Sequence, residues 1–235
     1  MSAEAIRREL SNAANPEKAA FFPKFFKTGP GGYAEGDVFL GVTVPEQRRI
    51  ARRYRDVSLE QLGKLLQSEV HEHRLTGFLI LVSQFESADA PLRTRLFEFC
   101  REHLAGLNNW DLVDTVAPKL IGPYLLEHPE RQKLFDTWAR SRVLWERRIA
   151  IMSTLAFIRQ GDFTQTLRLA ELLLHDGHDL MHKAVGWMLR EVGKRDLAAE
   201  EVFLDRHAAT MPRTMLRYAI ERFSPERRQH YLRCR

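Results

Sequence analysis

The chain has 235 residues, 44% hydrophobic and 29% charged, with 36 Lys+Arg against 31 Asp+Glu and a formal charge of +5; its pI is near 9.4. This composition suits one large domain or a short repeat array. Only two cysteines, Cys100 and Cys234, rule against a disulfide framework or a cysteine metal cluster, and no run approaches the roughly 20 apolar residues of a membrane span.

Residues 1–8 hold Glu4, Arg7 and Arg8 and lack an apolar leader core, so a cytoplasmic protein without a membrane partner is expected. Most of the basic residues are Arg, the better fork for phosphate oxygens. The basic excess is compatible with nucleic acid but does not establish it.

Nearly every segment has period 3.6. Residues 3–13 predict a short helix, and Asn15-Pro16 predicts a second, running to about Lys27, with Asn as N-cap and Pro at N1. Its Phe21, Phe22, Phe25 and Phe26 form one apolar stripe, for which core packing is the simplest account. Residues 28–33 form a Gly/Pro loop without the Lys-Ser/Thr ending of a phosphate-binding P-loop. Residues 39–45 are the only strand-like run. Pro45 starts a helix over 46–55 carrying Arg48, Arg49, Arg52, Arg53 and Arg55, with few acids nearby. A solvated face or phosphate contact both fit these arginines.

From Ser58, predicted to form a capping box with Gln61, the chain reads as helices with short joints. Joints fall at 87–89, 106–109, 128–129, 160–162, 176–178 and 224–225. Composition does not shift along the chain, so a single domain over 1–235 is expected.

Five helix segments align as repeats, beginning at Arg74, Trp110, Arg148, Lys183 and Arg217 and ending at Phe78, Asp114, Met152, Trp187 and Glu221. The steps are 110−74 = 36, 148−110 = 38, 183−148 = 35 and 217−183 = 34. That period points to a right-handed α-α superhelix, a HEAT-like all-α solenoid with a concave groove. Residues i and i+4 share a helix face. The register therefore sets Arg74, Trp110, Arg148, Lys183 and Arg217 along one row, with Asp114 and Trp187 in the adjacent row, and a basic row in a groove matches a phosphate backbone. Taken singly, the basic residues also read as solvated faces and the tryptophans as core.

The motifs at 39–45, Asn109-Trp110-Asp111-Leu112-Val113-Asp114, 145–149, 183–191 and 211–220 together resemble the AlkD-like DNA alkylation repair glycosylases, built from HEAT-like repeats. The resemblance covers nearly the whole chain. It implies that Trp110, Trp187, Asp114 and Arg148 surround a modified nucleotide, and that the partner is double-stranded DNA containing alkylated purines. Asn109 departs from members with an aromatic there, and Thr43 from members with a longer amide side chain facing DNA. The family also contains members that bind DNA without excising bases.

The implied reaction is hydrolysis of the glycosidic bond of N3- or N7-alkylated purines. Asp114 would stabilise charge developing on the sugar, the two tryptophans would offer π faces, and Arg148 would hold a flanking phosphate. Thr43, Arg48, Arg74, Lys183, Arg190 and Arg217 are further candidates for DNA contact. The duplex is expected to keep its lesion largely stacked. Asp111, in the first turn of its helix, is accounted for by the helix dipole. His175, His178 and His182 read as exposed residues at a joint, so no metal or cofactor is expected, and a monomer suffices.

Overall fold

The computed structural model describes residues 1–234. It is all-α: sixteen α-helices with short 3-10 and π turns and, among the described residues, no strand. Two compact units, Met1–Val116 and Ala117–Arg235, divide the chain.

The first unit is built around its longest helix. The helices are α1 (Ala3–Asn12), α2 (Pro16–Phe25), α3 (Val44–Arg53), α4 (Leu59–Leu66), α5 (His71–Ser87), α6 (Ala90–Glu102) and α7 (Trp110–Val116). Helix α5 packs against α1, α3, α4, α6 and α7. It is buried nearly all round, as expected of a helix at a domain centre. Phe78, Leu81 and Phe85 are fully buried, each contributing about 2 kcal/mol relative to an exposed side chain. Its first turn is unusual: His71, Glu72, His73 and Arg74 are all buried.

Local signals set the helix ends. Ser2 and Asn15 cap α1 and α2 through their side chains, and Asp89 caps α6. Ser58 does not follow the capping-box expectation: its side chain caps nothing, and Gln61 Oε1 accepts from Ala3 N instead. The run at 39–45 is not a strand. Its neighbour Val38 makes one isolated parallel bridge to Val70, and α3 begins at Val44. The stripe on α2 is only half core: Phe26 is buried and Phe22 half-buried, but Phe21 and Phe25 are 58% and 52% exposed. The arginines of α3 also have acids after all, since Arg49 pairs with Glu46 and Arg53 with Glu9.

The second unit opens with a π-helical turn, Ala117–Ile121, and α8 (Gly122–Glu127). There follow α9 (Lys133–Ala139), α10 (Leu144–Ser153), α11 (Leu155–Arg159), α12 (Thr164–Leu172), α13 (Asp179–Gly193), α14 (Leu197–His207), α15 (Arg213–Ala219) and α16 (Pro225–Arg233). Helix α13 is its centre, packed against α10, α12, α14 and α15. The close crossing with α15 depends on Gly186, where a Cβ would stand 2.4 Å from the Met215 carbonyl oxygen. All five aligned segments begin on helices, on α5, α7, α10, α13 and α15.

Candidate functional site

The start of α7 is fixed by side chains rather than by its short hydrogen-bond ladder. Leu107 and Asn109 are fully buried. Asn109 Oδ1 accepts from Trp110 N at 2.8 Å, satisfying an amide that a helix start leaves unpaired. Asn108 Nδ2 and Asn109 Nδ2 donate to the two carboxylate oxygens of Asp37, each at 3.4 Å. Asp37, from the segment after α2, also accepts from Arg74 Nη2 at 2.6 Å and His71 Nδ1 at 3.1 Å. The other ring nitrogen, His71 Nε2, lies 2.8 Å from Asp111 Oδ2, while Asp111 Oδ1 accepts from Leu112 N.

Both nitrogens of His71 thus face carboxylates, which only accept when ionised. A neutral imidazole has one N–H and would aim a lone pair at one of them, so the arrangement calls for imidazolium. Burial opposes the charge, but the hydrogen bonds and charges of Asp111 and Asp37 outweigh it and raise the His71 pKa to about 9. Burial likewise opposes ionisation of Asp37, and His71 and Arg74 overcome it to hold that carboxyl below its usual value. Asp111 is therefore more than a dipole-favoured first-turn acid. Arg74 is not on an accessible basic row: it is 4% exposed and spends its guanidinium on Asp37 and the Ser68 carbonyl.

Rings cover this polar layer. His71 stacks on Phe39 at 4.8 Å and tilts against Phe26 at 5.0 Å. Phe26 in turn stacks on Trp110 at 5.5 Å and 21°, and Phe25 meets the same indole edge-on at 6.0 Å. A cavity of about 360 Å³ opens among Phe21, Phe22, Phe25, Phe26, Phe39 and Trp110. Trp110 is half-buried, and Asp114, one turn along the same face, is half-buried too.

The segment before α3 is held from the same turn of α5. The Glu72 carboxylate accepts the backbone N–H groups of Leu40, Gly41 and Val42 at 2.8 to 3.2 Å. Gly41 has φ +80°, and a Cβ there would lie 2.2 Å from the Asn15 carbonyl oxygen, so both conformation and space require glycine. This fixes Thr43, half-buried at the α3 N-cap, and Arg48, exposed one turn further on.

In the second unit, Arg148 on α10 is 4% exposed and donates from Nη1 to the Leu180 carbonyl at 2.7 Å, at the start of α13. Its neighbour Arg147 engages Asp176 with Nε at 2.6 Å. On α13, Trp187 is half-buried and its indole N–H donates to Glu191 Oε1 at 3.0 Å. Lys183 pairs with Asp179 at 2.8 Å, and Arg190 pairs with Glu221. Arg217 on α15 is exposed. Of the three joint histidines only His175 is exposed: His178 caps α13 by accepting from Leu180 N, and His182 bonds the Asp176 carbonyl.

The structure thus keeps Trp110 and Asp114 together on α7, and holds Arg148 and Trp187 on adjacent packed helices of the second unit. The basic row is not uniform: Arg74 and Arg148 are buried, Lys183 half-buried and Arg217 exposed. Asp37, His71 and Glu72 escaped sequence reasoning. The available signal was four consecutive polar residues, 71–74, at the head of an otherwise apolar helix.

The family model described as DNA alkylation repair enzyme matches residues 6–223. Among solved structures, a predicted DNA alkylation repair enzyme from Enterococcus faecalis is similar, with TM-score 0.69 and 17% identity over 90% of this chain and 97% of that one. AlkD2 from Streptococcus mutans is similar with TM-score 0.56 and 17% identity, over 89% of this chain and 98% of that one. The smu.31 protein of Streptococcus mutans UA159 gives TM-score 0.53 and 17% identity, over 86% and 94%. Among curated proteins none is similar to this chain. At such identities the structural likeness establishes a shared AlkD-type, HEAT-like fold, while the family match takes in both units, α7 and α13 included. The chain belongs to the DNA alkylation repair enzyme family.

Proposed function

We propose that this protein is a DNA glycosylase that hydrolyses the glycosidic bond of cationic N3- or N7-alkylated purines, such as 3-methyladenine and 7-methylguanine, in duplex DNA. The observation that carries this reading is the pairing on α7 of a ring-supported Trp110 with the Asp114 carboxylate one turn away, in a chain of this family.

The lesion already bears a positive charge, so the purine leaves without protonation. As C1′–N breaks, the bonding pair goes to the base, which departs neutral, and positive charge grows on the sugar. Asp114 stabilises that charge and takes the proton of the water that attacks C1′. The products are the free base and an abasic site. Trp110 and Trp187 each offer a π face to the cation, about 0.5 to 2 kcal/mol apiece. Thr43, Arg48, Lys183, Arg190 and Arg217 contact DNA, while Arg148, 4% exposed and bonded to the Leu180 carbonyl, braces α10 against the α13 that carries Trp187 instead of reaching a phosphate. Arg74, committed to Asp37, has no part in it. The lesion stays largely in the stack rather than flipping into a pocket, so uncharged lesions such as uracil are poor substrates.

The test is release of 7-methylguanine and 3-methyladenine from methylated duplex DNA by wild type and Asp114→Asn. Wild type is expected to release both, and the variant at least a hundredfold more slowly. A wild-type protein that binds the duplex yet releases no base would make it a non-catalytic DNA-binding module, and an unimpaired Asp114→Asn would remove the carboxylate from the chemistry.

A further inference from the structure

We infer that His71 is a positioning residue of the proposed glycosylase: its imidazolium, bonded to Asp37 on one side and Asp111 on the other, sets the start of α7 and with it the Trp110 ring and the Asp114 carboxylate. The inference rests on the function proposed above but uses residues to which that function gives no role.

Three connections converge on α7. The first is direct, His71 Nε2 to Asp111 Oδ2 at 2.8 Å. The second runs through Asp37, which receives His71 Nδ1 and the amides of Asn108 and Asn109. The third runs through the rings: the imidazolium lies against Phe26, whose ring stacks on Trp110. With both carboxylates ionised, one added proton on a single ring holds the two sides together. Its loss leaves a carboxylate facing a ring lone pair, and Asp111 must move. Asp111 is one residue from Trp110, so the shift reaches the indole first.

Among the described residues, the charged groups near the ring have partners of their own. From α5 itself, Glu72 is turned onto the amides of Leu40, Gly41 and Val42, Arg74 onto Asp37 and the Ser68 carbonyl, and His73 onto Ser68 Oγ. Asp37 comes from the segment between α2 and α3, and Asp111 from α7. Phe26 and Phe39, the packed rings, carry no charge. His71, its pKa raised to about 9 by these carboxylates against the opposing effect of burial, changes protonation in the mildly alkaline range.

The test uses the full chain labelled with 5-fluorotryptophan, the Trp110 resonance being the one lost in Trp110→Phe. Between pH 7 and 10 that resonance is expected to shift with a midpoint near 9. Single-turnover release of 7-methylguanine at saturating duplex should fall at least tenfold with the same midpoint, while duplex Kd changes less than twofold. In His71→Gln the resonance should sit at its alkaline position already at pH 7, with a slow rate and no alkaline limb. A wild-type resonance flat through pH 9, or a His71→Gln protein with wild-type rate and limb, overturns the inference. If the variant fails to fold, the wild-type titration decides. Absence of excision by wild type at every pH would refute the proposed function instead, and the fluorine titration would still decide the role of His71.

Discussion

Phe26 and Trp110 stack with their ring centroids 5.5 Å apart and their planes at 21°. The indole of a half-buried tryptophan is thereby backed by a buried phenyl ring, itself in contact with Phe22, Phe25, Phe39 and His71. The role proposed for Trp110 needs a fixed indole plane, and these ring contacts back that plane. Replacing Phe26 by Ala is expected to cost about 3 kcal/mol of stability. It should also slow base release by more than the fraction unfolded accounts for. Urea unfolding and single-turnover rates on the same sample separate the two effects, and a rate unchanged per folded molecule would show that the ring only fills space.

The His71 charge also bears on stability. Its pKa is raised in the fold, to about 9 from 6.5. A raised imidazole contributes its full stabilisation below the unfolded value and loses it as pH rises through the folded one. The loss therefore falls between pH 6.5 and 9 and amounts to about 3 kcal/mol. Urea unfolding across that window should show the decline in wild type and a reduced decline in His71→Gln. Parallel curves for the two proteins would place the titration elsewhere.

Much of this fold was legible because helical period and caps are local signals. Asn15-Pro16 starts α2 and residues 176–178 form a joint, as the sequence predicts. The repeat register places all five starting residues on helices. The run at 39–45 misled because β-branched and aromatic residues signal a strand only if a partner strand exists. Here the amides of 40–42 go to the Glu72 carboxylate instead, a long-range bond that no local pattern encodes. Arg74 misled for the same reason: a basic residue in the right register looks like a phosphate ligand until Asp37 is seen beside it. Trp110 and Asp114 were visible as a spacing, whereas the layer that supports them was not, since it joins residues 34 to 72 positions apart.

Gly186, next to Trp187 on α13, allows the close approach of α15. An added methyl would meet Met215 O at 2.4 Å and Tyr218 Cβ at 2.6 Å, and backbone cannot yield as a side-chain tip does. Gly186→Ala is expected to destabilise the protein by about 2 kcal/mol, although alanine is the better helix former by about 1 kcal/mol. A urea midpoint at or above wild type would mean that the crossing opens without cost.

Arg48 is exposed on α3 and makes no ion pair among the described residues, in contrast to Arg49 and Arg53, which are paired with Glu46 and Glu9. Phosphate contact at this position adds one released counterion. Arg48→Ala should weaken binding to unmodified and methylated duplex alike and reduce the slope of log K against log salt by about 1. Binding measured from 50 to 200 mM salt, order-of-magnitude conditions for such slopes, checks this. Arg49→Ala serves as the paired comparison and should change the slope less.

Glu200 on α14 is 1% exposed, packs against Gly193 of α13, and its Oε1 has no hydrogen-bond partner among the described residues. Burial is the largest influence on its carboxyl. Glu201 pushes the same way, Arg190 opposes, and the pKa rises to about 8 from 4.5. The folded state thus prefers the protonated acid. Below pH 4.5 folded and unfolded chains both carry the proton and no penalty arises. Stability then falls as pH climbs through 8 and levels off above it, by about 5 kcal/mol in the limit. Glu200→Gln keeps the shape of the neutral acid without the ionisation. The variant should match wild type near pH 4.5 and exceed it by several kcal/mol, of that same order, near pH 8.5. Urea unfolding at the two pH values is the measurement. A stability difference that stays constant between them would mean that Glu200 ionises in the fold as it does in the unfolded chain.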